Sequence, residues 1–153
     1  MEILGDFQTS VHKALEEISP NYKKYKGLVI CGTHTPHGVE PIIEKIRIAR
    51  ETEIPFLGIC FGAQLAAIEY ARNVLGVKDA TSEEFGKGTF VVKKRKELKV
   101  GFHDGENYWS NYEIAIIPNY PHWMICVPYH PEYNSSISKP HKDLIKFLQL
   151  CKK

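Results

Sequence analysis

A chain of 153 residues, 43% hydrophobic and 25% charged, can bury a full core and suits one domain over residues 1–153, with no length left for a second catalytic domain. A net charge of +2 argues against nucleic acid, and the one basic run, Lys93, Lys94, Arg95 and Lys96, reads as a solvated hairpin or edge strand. No apolar run is long enough to span a bilayer, and the cysteines at 31, 60, 126 and 151 show neither zinc-type spacing nor a compact disulfide framework, so a reduced cytoplasmic setting is expected.

In chain order, residues 2–5 read as a short first strand, and Ser10 is placed to cap a helix in which Val11, Leu15 and Ile18 share a face. Pro20 ends that helix. A Lys- and Tyr-rich connection leads to Gly27, Leu28, Val29, Ile30, Cys31 and Gly32, a buried strand by its β-branched content. The loop Thr33, His34, Thr35, Pro36, His37, Gly38 follows. Its two histidines have no third ligand nearby, so no metal is expected. Pro41 opens a helix that runs to Arg50, with Ile42, Ile46 and Ala49 on one face.

Residues 54–71, IPFLGICFGAQLAAIEYA, carry the main chemical signal. Ile54, Phe56, Leu57 and Ile59 form a short buried-type strand, and Leu65, Ile68 and Leu75 recur at helical spacing. Cys60 falls between them, with Gly58 and Gly62 two residues to either side. This is the pattern of a nucleophile elbow, in which the helix N-terminus favours thiolate and its free amides can receive an oxyanion. Further on, residues 89–92, 98–102 and 113–117 read as strand pieces of an antiparallel portion. Residues 123–127 then lead into Tyr129, His130, Pro131, Glu132 and Tyr133. In an extended segment His130 and Glu132 point the same way, so the carboxylate can orient the imidazole. Leu144, Phe147, Leu148 and Cys151 line one face of a closing helix. Alternating strands and helices with short connections predict an α/β fold of three layers, a mostly parallel sheet flanked by helices, with the site beyond the carboxyl ends of its strands.

The Gly-x-Cys-x-Gly elbow followed by His130 and Glu132 resembles the class I glutamine amidotransferases, whose triad runs Cys, His, Glu in that order. PFLGICFGAQLAAIEYARNVLGVKDATSEEF, with GVE at residues 38–40 and YHPEY, is similar to the amidotransferase domain of the CTP synthase family. The likeness is dense over residues 27–85 and 118–135. It implies a flavodoxin-like fold with Cys60 as nucleophile, His130 as proton carrier and Glu132 as its orienting carboxylate. It further implies that amides at Gly32 and Phe61 hold the oxyanion, that Gln64 lines the glutamine pocket and that Glu84 meets the substrate's amino group. Asn111 stands just before Tyr112, where the family has the arginine that binds the glutamine carboxylate. This predicts weak use of free glutamine unless another cation substitutes, Arg72, Lys78 and Lys87 being the nearest in sequence. Thr33, His34 and Thr35 stand where the family has Gly, Phe and Gly. The connection before residue 27 is also shorter than the family's, so the sheet is expected to lack one edge strand.

These readings imply a glutamine amidotransferase without a cofactor. Ammonia needs an acceptor, and the chain has neither room for a synthetase nor a Gly-x-x-x-x-Gly-Lys-Ser/Thr phosphate loop, so a separate synthetase subunit is expected. The alternatives are a hydrolase of another γ-glutamyl amide and a catalytically weak binding module with this fold. The sequence leaves the oligomeric state open, a homo-oligomer included.

Overall fold

Short apolar runs without polar interruption make strands that must be covered on both faces, and the structure, a computed structural model, builds such a sheet. It describes residues 1–33, 38–103 and 106–153, with side chains outside 96–110. In order the elements are β1 (Glu2–Leu4), α1 (Gln8–Ile18), β2 (Leu28–Ile30), α2 (Val39–Glu51), β3 (Phe56–Ile59), α3 (Phe61–Asn73), β4 (Ala80–Ser82), β5 (Thr89–His103), β6 (Glu106–Ile114), β7 (Met124–Val127) and α4 (Lys142–Cys151).

β1, β2, β3 and β7 pair in that order, all parallel. Alternate side chains go to opposite layers. Val29, Leu57, Ile125 and Val127 pack with α1 and α4, whereas Leu28, Ile30, Phe56 and Met124 pack with α2 and α3. The closing helix buries Leu144, Phe147, Leu148 and Cys151, the face expected from its periodicity. A second sheet has the order β4, β5, β6, with β4 parallel and β6 antiparallel to β5. The α/β class with a flanked parallel sheet and an antiparallel portion is therefore observed. β1 is the sheet edge and pairs directly with β2.

α3 lies between the two sheets, and every residue from Phe61 to Ala71 is buried. Its small residues Gly62, Ala63, Ala66 and Ala67 let both neighbours approach closely. One charge is carried in: Glu69 has no exposure, and Arg50 Nε of α2 donates to its two oxygens at 2.7 and 3.1 Å. Burial raises the pKa of this carboxyl, against the opposing pull of Arg50.

Local expectations failed in several places: α2 begins at Val39, two residues before Pro41, and Leu75 lies exposed beyond the end of α3. α1 begins at Gln8 behind Phe7, with no side-chain cap, so Ser10 is inside the helix and not at its start. The strand pieces at 89–92 and 98–102 are one strand of 15 residues, paired along the hairpin with β6, which ends at Ile114. β4 was not legible as a strand, because three residues carry little periodicity. The loop expected over Thr33 to Gly38 falls mostly on His34, Thr35, Pro36 and His37, which lie outside the described residues.

Among the described residues the tightest approach to backbone is at Gly62, where a Cβ would stand 1.9 Å from the Ile30 carbonyl oxygen. Gly62→Ala is expected to cost about 1–3 kcal/mol of stability by overpacking against backbone. Urea unfolding measures it, and a loss under about 0.5 kcal/mol would show that α3 can move away freely.

Candidate active site

Cys60 follows β3 directly and is the residue before α3, at φ 53° and ψ −103°. A non-glycine residue rarely adopts this backbone, which costs on the order of 1–3 kcal/mol and persists only where its surroundings enforce it. They do so here through hydrogen bonds: Cys60 N donates to Val127 O at 2.8 Å, and Gln64 N donates to Cys60 O at 3.2 Å. The same bend puts the thiol at the N-terminus of α3, where the first amides have no partner within the helix.

His130 follows β7 and precedes a single turn of 3-10 helix, Pro131–Tyr133. The expected extended arrangement gives way to this turn, because proline's fixed φ suits its first position. The contact forms nonetheless: His130 Nδ1 is 2.7 Å from Glu132 Oε1, and the carboxylate is buried. Cys60 is the ring's other neighbour and acts on the charge of the imidazole together with Glu132. Burial acts to lower the His130 pKa, but the bonds to Cys60 and Glu132 and their negative charges outweigh it and push it up to about 9. Tyr133 stacks on the imidazole with centroids 5.0 Å apart, and Phe7 meets it edge-on at 6.1 Å. Gly32 belongs here as well. A Cβ on it would be 2.7 Å from the Phe7 ring and 3.3 Å from His130 Cε1, and its carbonyl accepts from Asp6 N at 2.9 Å.

Cys60 opens on a cavity of about 460 Å³ that Gln64, Tyr112, Arg95, Ile114 and Pro128 also border. Gln64 is buried with Oε1 unpartnered. Phe61 turns its side chain into the core, edge-on to Phe85 at 6.1 Å, and offers the site only its amide. Glu84 and Asn111 do not border the cavity. Glu84 is exposed in the turn after β4, its amide donating to Ser82 Oγ at 3.2 Å, and Asn111 is exposed on β6. Alternation along the strand explains Asn111, since Tyr112 beside it takes the inward place. Arg95 went unnoticed as a site residue because a run of four basic residues reads as solvated surface. A second unforeseen element is the clamp behind His130: the Tyr129 hydroxyl bonds Asp143 Oδ2 of α4, and the Asp143 amide donates to His141 Nδ1 at 3.1 Å.

Two outcomes are expected. Burial pushes the Cys31 thiol up to about 11 and those of Cys126 and Cys151 up to about 12. A glutamine-like electrophile at neutral pH should therefore alkylate Cys60 first, as peptide mass mapping would show; equal labelling of all four thiols would contradict this. For His130 the folded pKa of about 9 lies above the ordinary 6.5, so its contribution to stability is complete below pH 6.5 and lost as pH rises through 9. The stability gap between the native chain and His130→Gln should narrow across that window in denaturant titrations. A gap independent of pH would mean that the imidazole gains nothing on folding.

Residues 6–122 match the family described as glutamine amidotransferase class-I, a match that ends before His130. The CTP synthase of Methanoculleus marisnigri is 32% identical over 180 aligned positions, covering 83% of this chain and 34% of that protein. The alignment is longer than this chain's 153 residues, so the relative carries insertions. The CTP synthase of Sulfolobus acidocaldarius is 46% identical over 99 positions, covering 61% of this chain and 18% of that protein. This chain thus spans about a third or less of the length of these relatives. Among solved structures, the glutaminase domain of Trypanosoma brucei CTPS with bound acivicin superimposes with a TM-score of 0.75 over 99% of this chain and 92% of that one, at 18% identity, a likeness of fold. With more than half its length matched, the chain belongs to the class I glutamine amidotransferase family.

Proposed function

We propose that the chain hydrolyses the side-chain amide of glutamine and releases ammonia, with Cys60, His130 and Glu132 as its triad. The observation that carries this reading is His130, whose Nδ1 is 2.7 Å from Glu132 Oε1 and whose ring also interacts with Cys60 at the N-terminus of α3. His130 takes the proton of the Cys60 thiol, giving the thiolate that attacks a carboxamide carbon. The amides of Phe61 and Gly32 are the donors for the resulting oxyanion. His130 then protonates the departing nitrogen, ammonia leaves and a thioester remains. Water, deprotonated by His130, cleaves the thioester to glutamate, while Glu132 keeps the imidazole in register and stabilises its cation. Gln64 and Tyr112 border the pocket for the substrate, whereas Glu84 and Asn111 stand outside it.

Ammonia set free in neutral water becomes ammonium and is no longer a nucleophile. We therefore place a synthetase over the Cys60 mouth, in the manner of a CTP synthase. Ile117 supports this: it borders the cavity and is 99% exposed, an apolar side chain that a partner surface would cover. A stable contact there would bury on the order of 1,200–2,000 Å² in total. Four free cysteines fit a reducing cytoplasm, and among the described residues no helix is long and apolar enough to cross a membrane.

A hydrolase of another γ-glutamyl amide is the second reading, favoured by the exposed position of Asn111. Ammonia release from glutamine and from a panel of γ-glutamyl amides separates the two. Cys60→Ala should abolish release, and His130→Gln should slow it by roughly 10² to 10⁴, with circular dichroism unchanged. Glu132→Gln should cost less. Release that survives Cys60→Ala would overturn the mechanism, and a folded wild-type chain inert towards the whole panel would mark a binding module.

A further inference from the structure

Resting on the reading above, we infer that Arg95 is the cation that receives the substrate's free α-carboxylate in the Cys60 cavity, with Gln64 accepting from its amino group. The substrate class is then a γ-amide that keeps an unblocked amino-acid head.

Among the described residues that border the cavity, Arg95 is the one with a permanent positive charge. The cations nearest in sequence are placed elsewhere. Arg72 bonds Glu40 at 2.7 and 3.1 Å and donates from Nε to Ala80 O at 2.8 Å, and neither Lys78 nor Lys87 borders the cavity. Arg95 is 17% exposed, and its Nε is buried without a partner. Gln64 Oε1, on the same cavity, is also buried without a partner. An unpaired donor on a cation and an unpaired acceptor together call for a ligand that presents an anionic acceptor and a donor, which a free amino-acid head does. A carboxylate suits the guanidinium in particular, because its two oxygens match the fork of Nε and a terminal nitrogen.

Two further features support the assignment. Arg95 Nη1 is already 3.3 Å from Glu113 Oε2, but the Glu113 side chain is half-exposed, and such an ion pair is weak enough for a ligand to displace. The other is the strand itself. Lys94 pairs with Tyr112, and the β5–β6 register breaks immediately afterwards, before Lys99 resumes it opposite Ser110. Strict alternation from Tyr112 would turn Lys94 inward and Arg95 outward. The break frees Arg95 from that pattern, and Lys94 is exposed whereas Arg95 is largely buried.

The test measures two things on the full chain. The first is the Michaelis constant for ammonia release from L-glutamine. The second is calorimetric binding, to a Cys60→Ala chain, of L-glutamine and of L-glutamine α-amide, whose carboxylate is capped. Arg95→Gln should raise the constant and weaken L-glutamine binding by about tenfold to a hundredfold, with kcat at saturation and binding of the α-amide little changed. Arg95→Lys, which keeps the charge but loses the fork, should fall between. Glu113→Gln, a change at a half-exposed side chain, should tighten L-glutamine binding. An Arg95→Gln chain that binds L-glutamine like its parent, or weakens both ligands equally, overturns the assignment even if ammonia release stands. Arg95-dependent binding of L-glutamine without any turnover keeps the assignment and removes the amidase reading. No binding and no turnover of L-glutamine removes both.

Discussion

The approach of Gly62 to the Ile30 carbonyl, closer than any Cβ would allow, is what the Cys60 site depends on. It brings the first turn of α3 against the carboxyl end of β2, so the chain must reverse within a single residue after β3. Cys60 takes up that reversal at φ 53°. Burial of α3 offsets the strain. The helix is covered along its whole first three turns by two sheets and α2, and each buried apolar side chain is worth on the order of 1.5–3 kcal/mol against exposure. A strained residue at the mouth of the cavity is thus held by apolar contacts that take no part in its chemistry.

The second half of the site is held from the opposite layer. Tyr129 is nearly inaccessible and bonded to Asp143, so the residue before His130 is tied to the first turn of α4, whose apolar face packs on the same side of the sheet as α1. Phe7, leading into α1, and Tyr133 bracket the imidazole. Cys60 and His130 therefore sit on different strands, β3 and the segment after β7, which are adjacent and parallel. The pairing of Ile59 with Val127, and the bond from Cys60 N to Val127 O, fix their separation. That separation lets the imidazole interact with Cys60 while the carboxylate behind it stays buried. The raised His130 pKa follows from those two neighbours, against the opposing effect of burial.

The cavity belongs to neither sheet alone. Cys60 and Gln64 come from the elbow, Tyr112 and Arg95 from the hairpin, and Pro128 from the end of β7. Because the hairpin supplies one wall, its register sets which side chains face the cavity. Where the family resemblance implies an arginine in the place of Asn111, the asparagine is exposed, and the half-buried side chain of Arg95 borders the cavity from the other strand of the same hairpin.

What the sequence by itself determined is local: the elbow around Cys60, the His130 and Glu132 pair, the buried strands and the apolar face of α4. Each depends on residues a few positions apart, where glycine, proline and periodicity act directly on the backbone. Tertiary structure decided the rest. Ser10 could cap a helix on local grounds, but contacts of Phe7 with Gly32 and His130 start α1 earlier. β4, three residues long, exists because β5 is there to pair with it. Whether Asn111 or Arg95 faces the cavity turns on one register break between two strands, and a slip of one residue moves a side chain to the opposite face. No local pattern encodes that choice, because it is made by the partner strand.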